Sequence, residues 1–178
     1  MAPITAKNRK ASPEKPRISM RSRQRAQYEH DLHNHLDILS LSRADRLKHY
    51  GLHFAKYAGR FARGDAEVKT RSETLVDAFL VVLSAANALN QRLPDVGTGG
   101  LVGGATSDLA FTDHAGRFAD ACEKIDHLEE FRAIALAANA ALSEWIVHSA
   151  KAADFDLDAL VDDRRRQLAR RQVYAQET

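Results

Sequence analysis

Apolar residues recur at spacings of three and four along most of the chain. The clearest run is Leu47, Tyr50, Phe54, Tyr57, Ala58 and Phe61. That period marks one face of an α-helix. It predicts a helix over 42–64, with Ser42 as a side-chain N-cap and Gly64 as the residue that stops it. A helix over about 22–39 precedes it. Another follows over about 71–93 and is halted by Pro94. Residues 95–108 hold five of the nine glycines and read as loop. A long helical segment over about 112–150, broken once near 129–131, and an amphipathic helix over about 157–174 complete the pattern. Strand-forming runs are sparse, so the prediction is an all-α fold, a helical bundle of about five helices.

Two short motifs recur in the same order. Ala58-Gly59-Arg60-Phe61-Ala62 returns as Ala115-Gly116-Arg117-Phe118-Ala119, and Ala85-Ala86-Asn87-Ala88 returns as Ala137-Ala138-Asn139-Ala140. A duplication would make the bundle two pseudo-repeated helical hairpins and would set Asp77 opposite Glu129.

With 178 residues, 44% of them hydrophobic and 28% charged, the chain is long enough for one domain with a real core. The net charge of +2 is unevenly placed. Residues 1–25 carry eight Lys and Arg against Glu14 and hold three of the four prolines, which reads as a disordered basic arm. The bundle then covers 26–150. Residues 151–178 form a C-terminal helix with Arg164, Arg165, Arg166, Arg170 and Arg171. Both basic ends suit contact with nucleic acid or an acidic protein, or serve only as solvated surface. The single cysteine, Cys122, excludes an internal disulfide and fits the cytoplasm as a small core residue. No secretory signal and no uncharged run of ~18 residues is present, so no membrane span is expected.

The candidate chemistry lies on two successive helices. Glu73 and Asp77 stand i, i+4 on one face of an otherwise apolar helix, where an unpaired carboxylate costs several kcal/mol. On the preceding helix, His53, Lys56 and Arg60 lie on a basic stripe opposite Phe54 and Phe61, the residue types that neutralise phosphate. A glycine-rich stretch over 97–105 lacks the Gly-Lys-Ser/Thr ending of a phosphate loop and reads as a connection or lid.

In order and spacing, Lys56-Tyr57-Ala58-Gly59-Arg60 followed by Glu73-Thr74-Leu75-Val76-Asp77 resembles the all-α NTP pyrophosphatase, or MazG-like, superfamily. The resemblance spans about residues 45–92. Gly59, Glu73 and Asp77 fall in register, whereas Lys56, Tyr57 and Arg60 stand where that family carries its first acidic cluster. The resemblance implies a nucleotide-binding bundle, commonly a homodimer, that uses Mg²⁺ (or Mn²⁺) to split nucleoside triphosphates to monophosphate and pyrophosphate. On that reading Glu73 and Asp77 are metal ligands, and Glu123, Asp126 and Glu130 complete a carboxylate box from the second repeat. No residue is assigned as catalytic base or nucleophile. The alternative is a non-catalytic relative, a structural or nucleic-acid-associated adaptor in which Asp77 pairs internally with Lys56 or Arg60. What stands opposite Asp77 decides between them.

Overall fold

A computed structural model describes residues 18–96 and 107–171, so most of the basic arm, the glycine-rich stretch 97–105 and the end of the chain lie outside the described residues. The described residues form seven α-helices and no strand. These are α1 (Met20–Asn34), α2 (Leu36–Leu39), α3 (Arg43–Arg63), α4 (Arg71–Leu89), α5 (Asp108–Asp126), α6 (Arg132–Ala152) and α7 (Leu157–Ala169), with a 3₁₀ turn at Gly64–Ala66. The helical bundle is as expected, but the count is seven rather than about five. His35, at φ −138° and ψ 40°, breaks the first predicted helix and sets off the one-turn α2. The long fourth segment divides into α5 and α6 at 127–131.

Local chemistry accounts for the ends. Ser42 accepts from the Asp45 amide and starts α3, and Gly64 at φ 53° ends it. Helix α4 stops before Pro94. Asn90 enters the left-handed region, its N–H bonds to Asn87 O and Gln91 N–H reaches back to Ala86 O at 2.8 Å. That pattern is a Schellman motif. The same six-to-one and five-to-two bonds close α5 around Leu128 and α6 around Asp154, both at positive φ.

Helix α4 is the axis of the molecule, buried along nearly its whole length by α1, α3, α6 and α7. Its length and mean hydropathy alone would let it cross a bilayer, but its surface is taken up by its neighbours. Helix α5 packs on α3 and α6. Two ring pairs pin the antiparallel α3–α5 contact: Phe54 with Phe118 and Phe61 with Phe111, each with centroids 4.9 Å apart and near edge-to-face. The motif repeat interchanges these pairs, because it maps Phe54 onto Phe111 and Phe61 onto Phe118. Each pair thus joins a ring of α3 to a ring of α5. One turn before Phe54, Gly51 lets α5 approach. A Cβ there would lie 3.2 Å from Cys122 Sγ, which donates to Leu47 O. Cys122 is thus a buried packing residue, its thiol pushed up to about 11 by desolvation.

Helix α1 differs from the others in its inward stripe, which after Met20 is polar: Gln24, Gln27 and Asp31 are all buried. Gln24 bonds to Gln91 O and accepts from Leu93 N–H, while its own carbonyl accepts from Asn87. Residues 20–25 therefore belong to the bundle rather than to a disordered arm, and Arg23 is held to Asp158 of α7 by two hydrogen bonds.

Candidate functional site

A cavity of about 440 Å³ opens between α1, α2, α3, α4 and α7. Helix α3 supplies one wall at helical spacing: His49, Tyr50, His53, Lys56, Tyr57 and Arg60. Helix α4 supplies the facing wall with Asp77, Leu80, Val81 and Ser84. Lys69, in the turn before α4, and Arg164, from α7, close one end.

Asp77 is the charged hub of that end. Its side chain is 11% exposed and meets three cations. Lys69 Nζ donates to Oδ2, Arg60 Nη1 lies 3.6 Å from the same oxygen, and Arg164 Nε donates to Oδ1 at 2.8 Å. Glu67 organises the turn that delivers Lys69, taking Arg63 at 2.5 Å and standing 3.9 Å from Arg60. Lys56 adds a fourth cation, its ammonium 4.8 Å from the Tyr57 ring centroid. Desolvation, and then the charge of Arg60, hold that ammonium below the usual lysine value.

The histidines beside it are held neutral. Burial, then Lys56 and His49, lower His53 to about 4, and burial lowers His49 as well. His53 Nδ1 lies within hydrogen-bonding distance of both Tyr57 Oη, at 3.1 Å, and Lys56 Nζ, at 3.0 Å. The proposed phosphate residues His53, Lys56 and Arg60 are thus brought together on one wall, with Lys69 and Arg164 added from elsewhere in the chain.

The five carboxylates expected to box a metal are not gathered. Glu73 turns back to its own helix N-terminus, where it accepts from Thr70 N–H and Oγ1, both at 2.8 Å, in a capping box. Those bonds hold its carboxyl below the usual range. Asp126 pairs with Lys48 at the other end of α3, and Glu123 stands 3.9 Å from His127. Glu130 caps the start of α6 by accepting from Arg132 N–H. Glu129, which a duplication would set opposite Asp77, pairs with Lys124 in the α5–α6 turn. The reason is topological. Helix α5 lies against α3 and α6, so its acids do not reach the α4 face that carries Asp77. Among the described residues no group of three or more His, Cys, Asp or Glu is placed to hold a metal ion.

Two of the C-terminal arginines, Arg164 and Arg165, turn inward, whereas Arg166 is exposed. Arg164 goes to Asp77, Arg165 donates to Gln27 Oε1 at 3.0 Å, and Arg166 pairs with Asp163. Arg164 had a legible signal. It sits in register with Leu157, Val161 and Leu168, on the stripe that α7 buries. Lys69 had none, because its direction depends on the turn. The chain matches no protein-family model, no curated protein and no solved structure with which it was compared.

Proposed function

We propose that this bundle binds a nucleotide, holding its phosphate among Lys56, Arg60, Lys69 and Arg164. The observation that carries the reading is the charge balance at one end of the cavity. Four cations face a single carboxylate, Asp77, which leaves a formal excess of three positive charges in a partly enclosed space. Guanidinium groups and ammonium groups in a low-dielectric pocket form strong charge-assisted bonds to phosphate oxygens. The volume of about 440 Å³ lies within the range of small-molecule sites. Leu80, Val81 and the tyrosine rings supply the apolar wall that a nucleoside needs. The spacing resemblance over residues 45–92 supports a nucleotide as the anion.

Metal-assisted hydrolysis draws no support from the placement of the acids, since Glu73, Glu123, Asp126 and Glu130 are all absent from the wall of this cavity. Asp77 has the internal ion pair of the non-catalytic alternative, with Arg60 as one of its partners.

Isothermal titration of the full chain with inorganic phosphate and with nucleoside mono-, di- and triphosphates tests the reading, beside a pyrophosphate-release assay with Mg²⁺. Nucleotide binding that weakens tenfold or more in Lys56→Ala and Arg60→Ala is expected. Mg²⁺-dependent release that Asp77→Asn abolishes would restore the hydrolase instead.

A further inference from the structure

The end of the cavity away from Arg60 has the opposite character. Asp31 of α1 is 5% exposed, yet it lies on the cavity wall. Gln27 Nε2 donates to its Oδ1 at 2.8 Å and Ser84 Oγ donates to its Oδ2 at 2.6 Å. Gln27 is itself turned by Arg165, whose guanidinium is taken by Gln27, by Asp162 and by Arg23 O rather than by Asp31. Among the described residues no Lys or Arg pairs with Asp31, in contrast to the three around Asp77. A carboxylate offers about four acceptor positions, so each oxygen keeps one lone pair beyond its protein bond. Arg165 and His35 act on it only through space, and burying a carboxylate with no cation bonded to it costs several kcal/mol unless further donors reach it. Desolvation accordingly raises the Asp31 carboxyl above its ordinary value.

The two ends are set apart by the α4 helix. Asp77 and Ser84 are seven residues apart, about 10 Å along the axis. Between them the wall is apolar and aromatic, with Leu80 and Val81 facing Tyr50 and Tyr57 across the cavity. Phosphate-binding cations, an apolar midsection and an acceptor end follow one another in a line.

We infer that Asp31 is a specificity residue, accepting hydrogen bonds from the amino edge of a nucleobase whose phosphate lies among the cations at the Asp77 end. This rests on the nucleotide reading above and names its class, a nucleotide with an amino-bearing base. Ser84 and Gln27 position the carboxylate by holding one lone pair of each oxygen. A keto group at the same place would set its oxygen against a carboxylate oxygen. Sites built to hydrogen-bond a substrate group discriminate strongly for that reason.

The test is titration of the full chain with matched nucleotides. GMP and IMP differ by one amino group, AMP and IMP by amino for keto, and CMP and UMP likewise. Inorganic phosphate is titrated alongside. At least one amino-bearing nucleotide is expected to bind tenfold or more tightly than its partner without that amino group. Asp31→Asn is expected to remove that preference and leave the affinity for inorganic phosphate unchanged, with Ser84→Ala reducing the preference in part. Equal binding within every pair, or a preference for the partner without that amino group, overturns the role of Asp31 while phosphate binding keeps the nucleotide reading standing. Absence of binding by phosphate and every nucleotide overturns both. The wild-type panel decides even where Asp31→Asn does not fold.

Discussion

Arg164 Nε lies 2.8 Å from Asp77 Oδ1, although 87 residues separate the two in the chain. This contact docks α7 on α4 and completes a ring of cations on a single buried carboxylate. It turns Asp77 from a candidate metal ligand into the counter-ion of a basic pocket.

Replacing Asp77 tests that assignment twice. Asp77→Asn leaves Arg60, Lys69 and Arg164 without their shared partner, and removing one member of a buried ion pair costs about 3–5 kcal/mol. Chemical denaturation should show the loss. The same variant should bind inorganic phosphate more tightly, because the competing carboxylate is gone. Weaker phosphate binding in a folded Asp77→Asn protein would contradict the counter-ion role.

Glu73 makes a contrasting case. Its oxygens serve Thr70 at the start of α4. Thr70→Ala and Glu73→Ala should each cost about 1 kcal/mol, read from urea midpoints, and should leave nucleotide affinity unchanged. A Glu73→Ala protein that loses ligand binding at unchanged stability would return Glu73 to the site.

Stability should fall in acid through two histidines. Burial lowers both His30 and His53 from 6.5 to about 4. Between those values the unfolded chain binds protons that the folded chain does not, so stability falls as the pH drops from 6.5 to about 4 and is level in these groups above 6.5. Asp31, raised by burial, acts in the opposite sense over its own window, since its folded form holds the proton more tightly. Denaturation across this range should show the slope, and His30→Gln with His53→Gln should flatten it. Imidazole resonances of both rings that titrate near 6.5 would sink the prediction.

Gly51 and Cys122 should be coupled. Alanine in place of glycine within a helix gains up to about 1 kcal/mol of propensity. Here the new Cβ would stand 3.2 Å from Cys122 Sγ, which its bond to Leu47 O keeps in place. Gly51→Ala alone should therefore destabilise by about 1 kcal/mol, whereas in a Cys122→Ala background it should stabilise. Additive urea midpoints across the four proteins would show that the contact carries no strain.

The chain by itself determined where most of the helices lie, because their causes are local, though not the break at His35 that splits the first of them. Ser42 and Gly64 bound α3 as their chemistry dictates, and the Tyr50, Phe54, Tyr57 and Phe61 stripe faces the core as its period requires. It also determined the basic wall, since His53, Lys56 and Arg60 lie close to one another on the same helix. What the sequence left open was the partner of each acid. A Glu and an Asp one turn apart read alike, but the first is captured by a cap three residues away and the second by a helix 87 residues distant. The polar stripe of α1 likewise gained its meaning only when Ser84 and Arg165 met it. Caps and periodicity act within a few residues and can be read along the chain. The field at a buried carboxylate is the sum of charges that only tertiary packing brings within a few ångströms of it.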